Sequence, residues 1–151
     1  MKARFETFTV LISKIYRNIR KLKNQEMSEY GLRGAHISCL YYLYSEEALT
    51  ATELCERCEE DKATISRTLD YLEEKGFITR LQQSGKRYKS PLYLTEQGKT
   101  VGKEISRRVG SILDEIGTVV SEEERISFYR SLSLISGCLD KCVNESGKTE
   151  A

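Results

Sequence analysis

At 151 residues, 39% hydrophobic and 31% charged with a formal net charge of +1, the chain has room for one compact domain or two small lobes around a slightly lean core. The near-zero balance excludes a globally basic coat, so any nucleic-acid site is a local patch. The lean core leaves apolar surface to be buried against a partner chain.

The first helix is expected from about Phe5 to Lys23. Phe5, Phe8, Ile12, Ile15, Ile19 and Leu22 recur at spacings of 3, 4, 3, 4 and 3, a heptad stripe suited to helix-helix packing. Its opposite face carries Lys14, Arg17, Arg20 and Lys21. From Met1 to Asn24 seven basic side chains stand against Glu6 alone. A second helix is expected over Ala35–Tyr44, with Ile37, Leu40, Tyr41 and Tyr44 on one side. Leu32-Arg33-Gly34 offers its start no side-chain cap.

The next helix opens with a capping box. Thr50 accepts from the backbone N–H of Glu53, and Glu53 reaches back to Thr50. Ala51, Leu54, Cys55 and Cys58 turn inward. Glu59-Glu60 forms a turn, and Asp61 caps a helix over Lys62–Lys75 that buries Ile65, Leu69 and Leu72. Gly76 stands where a helix C-terminus calls for positive φ.

Phe77–Leu81 and Leu92–Leu94 read as short strands flanking a polar tip that holds Gly85, Lys86, Arg87 and Lys89. Pro91 donates no ladder hydrogen bond, so it weakens the return strand or places it at an edge. Thr95 caps a long helix with Val101, Ile105, Val109, Ile112 and Ile116 inward, and Gly102, Gly110 and Gly117 mark bends or close approaches. Ser121 and Glu124 form a second capping box. The last helix carries Phe128, Leu132, Ile135, Leu139 and Cys142 at heptad spacing, and Glu145–Ala151 reads as a frayed tail.

Two capped helices, a tight turn and a basic hairpin over Thr50–Thr95 are the parts of a winged helix-turn-helix. The fold class expected is therefore mainly α with a small two-stranded β wing. Residues 31–117 form the winged helix-turn-helix lobe with its connecting long helix, and residues 1–30 with 118–151 form a helical dimerisation lobe. The start of the Lys62–Lys75 helix displays Lys62, Ala63, Thr64, Ser66 and Arg67. Small side chains permit close approach to a duplex, Thr64 and Ser66 hydrogen-bond bases or phosphates, and Arg67 suits guanine. Lys86, Arg87 and Lys89 would reach phosphates beside a minor groove. An isolated helix with such a face is ordinarily just solvated; its neighbours decide for nucleic acid.

The chain resembles the MarR family of bacterial transcription regulators over nearly its whole length. The resemblance is carried by Thr52-Glu53-Leu54, Asp61-Lys62-Ala63-Thr64-Ile65-Ser66-Arg67, Leu72-Glu73-Glu74-Lys75-Gly76-Phe77-Ile78 and Leu94-Thr95-Glu96-Gln97-Gly98. It implies an obligate homodimer joined through the first and last helices, binding a palindromic double-stranded DNA operator. It also implies a repressor released by a small-molecule or redox signal. One departure stands out. Wings of the family commonly carry Asp-x-Arg near the tip; those positions fall here on Lys86 and Tyr88, so Arg87 is displaced by one and lacks its bracing Asp.

Members of the family often bind small aromatic or lipophilic molecules, and His36, Tyr41 and Tyr44 are the candidates for such a cleft, although tyrosines on an amphipathic helix more often pack the core. Buried structural thiols are the preferred reading of most of the cysteines, with Cys39, Cys55 and Cys58 as redox candidates. Zinc needs about four ligands, and the lone histidine with one Cys-x-x-Cys pair does not supply them, so no metal or cofactor is expected. No phosphate loop, metal-binding His pair or nucleophile triad is present, and the chain does not read as an enzyme. A helical protein-protein adaptor is the alternative of a different class. Its recognition face would be apolar, whereas here it is Lys, Thr, Ser and Arg. No signal peptide or membrane-length apolar run is apparent, and five cysteines without secretory context suit a reducing cytoplasm.

Overall fold

The computed structural model describes residues 2–81 and 89–146, with side chains from Thr7 onward. Six α-helices and a two-stranded antiparallel sheet follow one another: α1 (Lys2–Glu26), α2 (Ala35–Glu46), α3 (Ala51–Cys58), α4 (Lys62–Glu74), β1 (Ile78–Arg80), β2 (Leu92–Leu94), α5 (Glu96–Gly117) and α6 (Glu122–Ser146). A single 3-10 turn at Ser28–Tyr30 separates α1 from α2. The chain falls into two compact units, residues 1–108 and 109–151. No helix among the described residues is long and apolar enough to cross a membrane.

The core lies in the first unit, where α2, α3 and α4 pack on one another and on the sheet. Met27, Leu32, Ile37, Leu40, Leu43, Leu54, Ile65, Leu69, Leu72, Leu92 and Ile105 are all buried there. Along α2 the buried residues are Ile37, Cys39, Leu40 and Leu43. Tyr41 is only half-buried and Tyr44 is exposed, against the expectation that both line the inner side. The reason is that α2 is covered by α3, α4 and β2 together, which widens its apolar stripe and rotates it toward Leu43.

Local chemistry fixes the element boundaries. At α3 the capping box forms: the Glu53 N–H donates to Thr50 Oγ1 at 3.2 Å and the Thr50 N–H donates to Glu53 Oε2 at 2.7 Å. At the end of α4, Gly76 takes φ +77°. Its N–H donates to Glu73 O at 3.0 Å, and the Phe77 N–H donates to Leu72 O at 2.9 Å. That is a Schellman closure, with Leu72 and Phe77 both buried beside it. In β1–β2, Ile78 pairs with Leu94 and Arg80 with Leu92. The Leu92 N–H donates to Leu49 O at 2.9 Å, so β2 lies between β1 and the segment before α3. Pro91 precedes β2 and removes no ladder bond.

The start of α5 is the tightest joint. Thr95 Oγ1 donates to Gly76 O at 2.6 Å and accepts from the Gly98 N–H at 3.1 Å. The Thr95 N–H donates to Phe77 O at 3.0 Å. Val101 and Ile105 are buried as expected from the stripe; Val109 and Ile112 are half-buried and Ile116 is exposed. Gly102 lies against the Tyr44 side chain, whereas Gly110 has nothing within 4 Å of where a Cβ would stand. Close approach thus explains Gly102 and not Gly110.

Further along α5, Arg108 Nε donates to Glu104 Oε1 at 2.6 Å, while its other nitrogens reach Glu26 O and the Glu29 carboxylate. Arg107 also donates to Glu104, at 2.7 Å. These hydrogen bonds hold the Glu104 carboxyl at about 2, well under its ordinary 4.5. A depressed folded-state value means stability that is complete above pH 4.5 and is lost as the pH falls from there toward 2. Melting temperature followed by circular dichroism is expected to fall across that window, and less steeply in Glu104→Gln. Equal slopes for the two chains would contradict this.

In the second unit Ser121 and Glu124 form the expected capping box, at 2.8 and 3.3 Å. On α6, Phe128, Ile135 and Leu139 are exposed by 51%, 38% and 49%, and Leu132 is half-buried. On α1, Ile12, Ile15 and Ile19 are likewise exposed. Among the described side chains of the two stripes most are exposed, with Phe8, Leu22 and Leu132 half-buried.

Candidate nucleic-acid interface

Helix α4 is held at its start by Asp61, whose Oδ1 accepts the Thr64 N–H at 2.7 Å. Asp61 Oδ2 accepts the Thr64 hydroxyl at 3.0 Å, and Thr64 Oγ1 in turn accepts from Arg67 Nη2 at 3.3 Å. The Thr64 backbone and hydroxyl donors hold the Asp61 carboxyl below its ordinary value, with a smaller contribution from Arg67. The cap is therefore an anion under neutral conditions. Ile65, Thr68, Leu69 and Leu72 bury one face of the helix.

Lys62, Ala63, Ser66, Arg67 and Asp70 are exposed along the other face, and Thr64 is half-buried. This face is polar and short-chained at Ala63 and Ser66, so a backbone of opposite charge can approach closely. Its first-turn N–H groups add a partial positive charge. The turn leading into α4 is tight: Glu59 adopts φ +50°, and the Glu60 N–H donates to Cys55 O at 3.2 Å. A non-glycine residue in the left-handed region is strained, so the turn is fixed by its surroundings rather than by its own preference.

The wing is tied to α4 at its base, where Arg80 Nε donates to Glu73 Oε2 at 3.2 Å. Lys89, at the end of the tip, is exposed. Lys86 and Arg87 lie outside the described residues.

On the opposite flank of α4 an open cleft of about 730 Å³ is lined by Asn24, Arg33, His36, Thr64, Arg67 and Tyr71 among others. His36 stacks on Tyr71 with ring centroids 4.3 Å apart and planes 10° from parallel. The Tyr71 hydroxyl donates to Gly31 O at 3.1 Å. His36 Nδ1 accepts the Arg33 N–H at 3.4 Å, and burial with the Arg33 charge pushes the imidazole below its ordinary value. The three effector candidates do not converge. His36 is in the cleft, Tyr41 meets Tyr42 edge-on at 5.4 Å, and Tyr44 packs on Gly102. Sequence reasoning missed Asn24, Arg33 and Tyr71. Asn24 Oδ1 accepts the Gly34 N–H at 2.8 Å, closing the start of α2 that seemed uncapped. The signal for it was that same missing cap, followed by Gly34 at φ +54°.

The redox candidates separate as well. Cys39 is fully buried, and its Sγ lies 3.9 Å from Cys58 Sγ. Cys55 faces a second cleft of about 490 Å³ between α3, α4 and β1, beside Lys62 and Asp70. No group of three or more potential metal ligands occurs among the described residues.

A sequence model of the MarR family matches residues 30–87. YwoH, an uncharacterised helix-turn-helix-type transcriptional regulator of Bacillus subtilis, is 27% identical over 117 residues, covering 78% of this chain and 85% of that protein. Among solved structures, NMB1585, a MarR family regulator from Neisseria meningitidis, superposes with a TM-score of 0.82 at 20% identity, covering 95% of this chain and 98% of the other. The S. aureus MepR–DNA complex gives 0.78 at 19% identity, covering 87% and 97%. Staphylococcus aureus MarR in complex with salicylate and kanamycin gives 0.79 at 20% identity, covering 93% and 94%. The structural likenesses establish a shared fold.

Proposed function

We propose, from the premise that this chain belongs to the MarR family of winged-helix transcription regulators, that it works as a homodimeric repressor. Two copies of α4 would enter successive major grooves of a palindromic operator. The observation that carries this reading is the outward face of α4, Lys62, Ala63, Ser66 and Arg67, displayed on a helix whose other face is locked into the core. Thr64 and Ser66 act on phosphates or base edges, Arg67 on a guanine, and Lys86, Arg87 and Lys89 on flanking phosphates. The exposed apolar stripes of α1 and α6 are what a second copy would cover, which is why self-pairing is preferred to an adaptor role.

Arg67 separates this reading from simple charge attraction. Among the described residues it gives up one long hydrogen bond, 3.3 Å to Thr64, and its attraction to Asp61 when it swings to a base. Arg67→Ala is expected to cost roughly 1–3 kcal/mol on the preferred duplex and to flatten discrimination at one base pair per half-site. Arg87→Ala is expected to weaken all duplexes alike. Fluorescence anisotropy on a selected duplex and its single-base variants checks this; identical losses on every sequence from both variants would refute the assigned roles.

The cleft that α4 shares supports a small aromatic acid as the releasing signal. Arg33 and Arg67 suit a carboxylate, and the His36–Tyr71 stack suits a ring. A ligand held there engages Arg67 and so competes with its base contact. The salicylate bound to Staphylococcus aureus MarR is in keeping with that chemistry.

A further inference from the structure

We propose that Cys58 and Cys39 form a peroxide-responsive thiol–disulfide couple that ties α2 to the end of α3 and lowers affinity for DNA; the consequence for DNA rests on the functional reading above. Three observations place the chemistry. The two sulfurs are 3.9 Å apart across the α2–α3 contact and not within one helix. Cys39 is fully buried, whereas Cys58 is partly exposed, so only Cys58 meets a solute first. The α1 residue Lys23, whose ammonium donates to Ser38 Oγ at 2.8 Å, brings a positive charge to the same place. A hydrogen bond from the Cys39 thiol holds the Cys58 thiol below its ordinary value. Burial opposes this shift and Lys23 assists it. The hydrogen bond with Cys58, together with burial, pushes Cys39 up, so the anion settles on Cys58.

The steps balance with a hydroperoxide as oxidant. The Cys58 thiolate attacks one oxygen of hydrogen peroxide; the O–O bond breaks, an S–O bond forms, and the departing hydroxide takes a proton from solvent. Cys39 then loses its proton and attacks the Cys58 sulfur. An S–S bond forms, the S–O bond breaks, and water leaves. Two thiols and one peroxide give one disulfide and two waters, and an external dithiol reverses it.

The bond requires the sulfurs to close from 3.9 Å to about 2 Å. Cys58 is the last residue of α3; the strained Glu59 follows it directly and the cap residue Asp61 comes two residues after that. A pull on Cys58 toward α2 is therefore passed into the turn that aims α4. Cys55, on the same helix but facing the other cleft, stays outside the couple.

The test uses the full chain, reduced and then treated with hydrogen peroxide, followed by thiol alkylation and peptide mass mapping. A Cys39–Cys58 linked peptide is expected, reversed by dithiothreitol. Cys39→Ser is expected to leave a Cys58 sulfenic acid that dimedone traps, and Cys55→Ser to behave as the parent. Affinity for a duplex selected from a random pool with reduced protein is expected to drop at least tenfold on oxidation, in the parent and Cys55→Ser but not in Cys58→Ser. Cys39 and Cys58 that both remain alkylatable, a link from either of them to Cys55 or to another chain, or affinity within twofold after the link forms would each overturn the proposal. If the reduced chain binds no duplex, the DNA reading falls together with the regulatory consequence, while the peptide map still decides the couple.

Discussion

A chain carrying Ile135→Glu and Leu139→Glu is expected to be monomeric and to lose at least a hundredfold in affinity for a palindromic duplex. Both side chains lie on the heptad stripe of α6 and are exposed by 38% and 49%, so neither belongs to the buried core of residues 1–108. Charging them leaves the winged helix folded. A two-fold interface would contain each substitution twice. At roughly 1.5–3 kcal/mol for each large apolar side chain withdrawn from burial, four losses amount to about 6–12 kcal/mol, comparable to the roughly 8 kcal/mol that holds a micromolar dimer together. A lone α4 then binds without the gain from its tethered twin. Sedimentation velocity and anisotropy report the two halves of this expectation. A dimer of unchanged affinity would show that α6 pairs with nothing.

Gly98→Ala is expected to destabilise the winged helix by about 3 kcal/mol, a drop in melting temperature on the order of 10 °C. A Cβ built there stands 1.9 Å from Phe77 O and 3.0 Å from its carbonyl carbon. Backbone cannot give way as a side chain can. Relief requires α5 to lift from β1, which breaks the Thr95 hydrogen bonds to Gly76 and Phe77. Two neighbours on the same helix serve as controls. At Gly102 the added Cβ meets Tyr44 Cβ at 2.8 Å, a milder overlap than the 1.9 Å at Gly98 but with an atom that side-chain rotation does not move, so Gly102→Ala destabilises by an intermediate amount. At Gly110 nothing lies within 4 Å, so alanine follows helix propensity and gains up to about 1 kcal/mol. Equal melting temperatures for the three variants would contradict the account of this joint.

Much of this was legible in the sequence, because the boundaries rest on local chemistry. Both capping boxes, the Asp61 cap and the Gly76 closure each follow from residues a few positions apart, and the β1–β2 pair joins two short apolar runs consecutive in the chain. The outward face of α4 was legible for the same reason: burial of Ile65, Leu69 and Leu72 leaves only one face for Lys62, Ser66 and Arg67. What was not legible depends on distant contacts. The inward turn of Leu43 in place of Tyr41 and Tyr44 follows from covering α2 on several sides. The Asn24 hydrogen bond to Gly34, the His36–Tyr71 stack and the Cys39–Cys58 approach join residues 10, 35 and 19 positions apart by fold alone. The glycines of α5 looked alike in the sequence, and only their neighbours distinguish Gly98 and Gly102 from Gly110.

The most direct test of the central claim, paired α4 helices seated on one duplex, is a titration of a palindromic duplex selected from a random pool, read for stoichiometry and salt dependence together. The account predicts two chains per duplex and affinity that falls by about a thousandfold or more between roughly 50 and 200 mM salt. It predicts further that halving the palindrome abolishes tight binding. One chain per duplex at full affinity, or binding indifferent to salt, would contradict it.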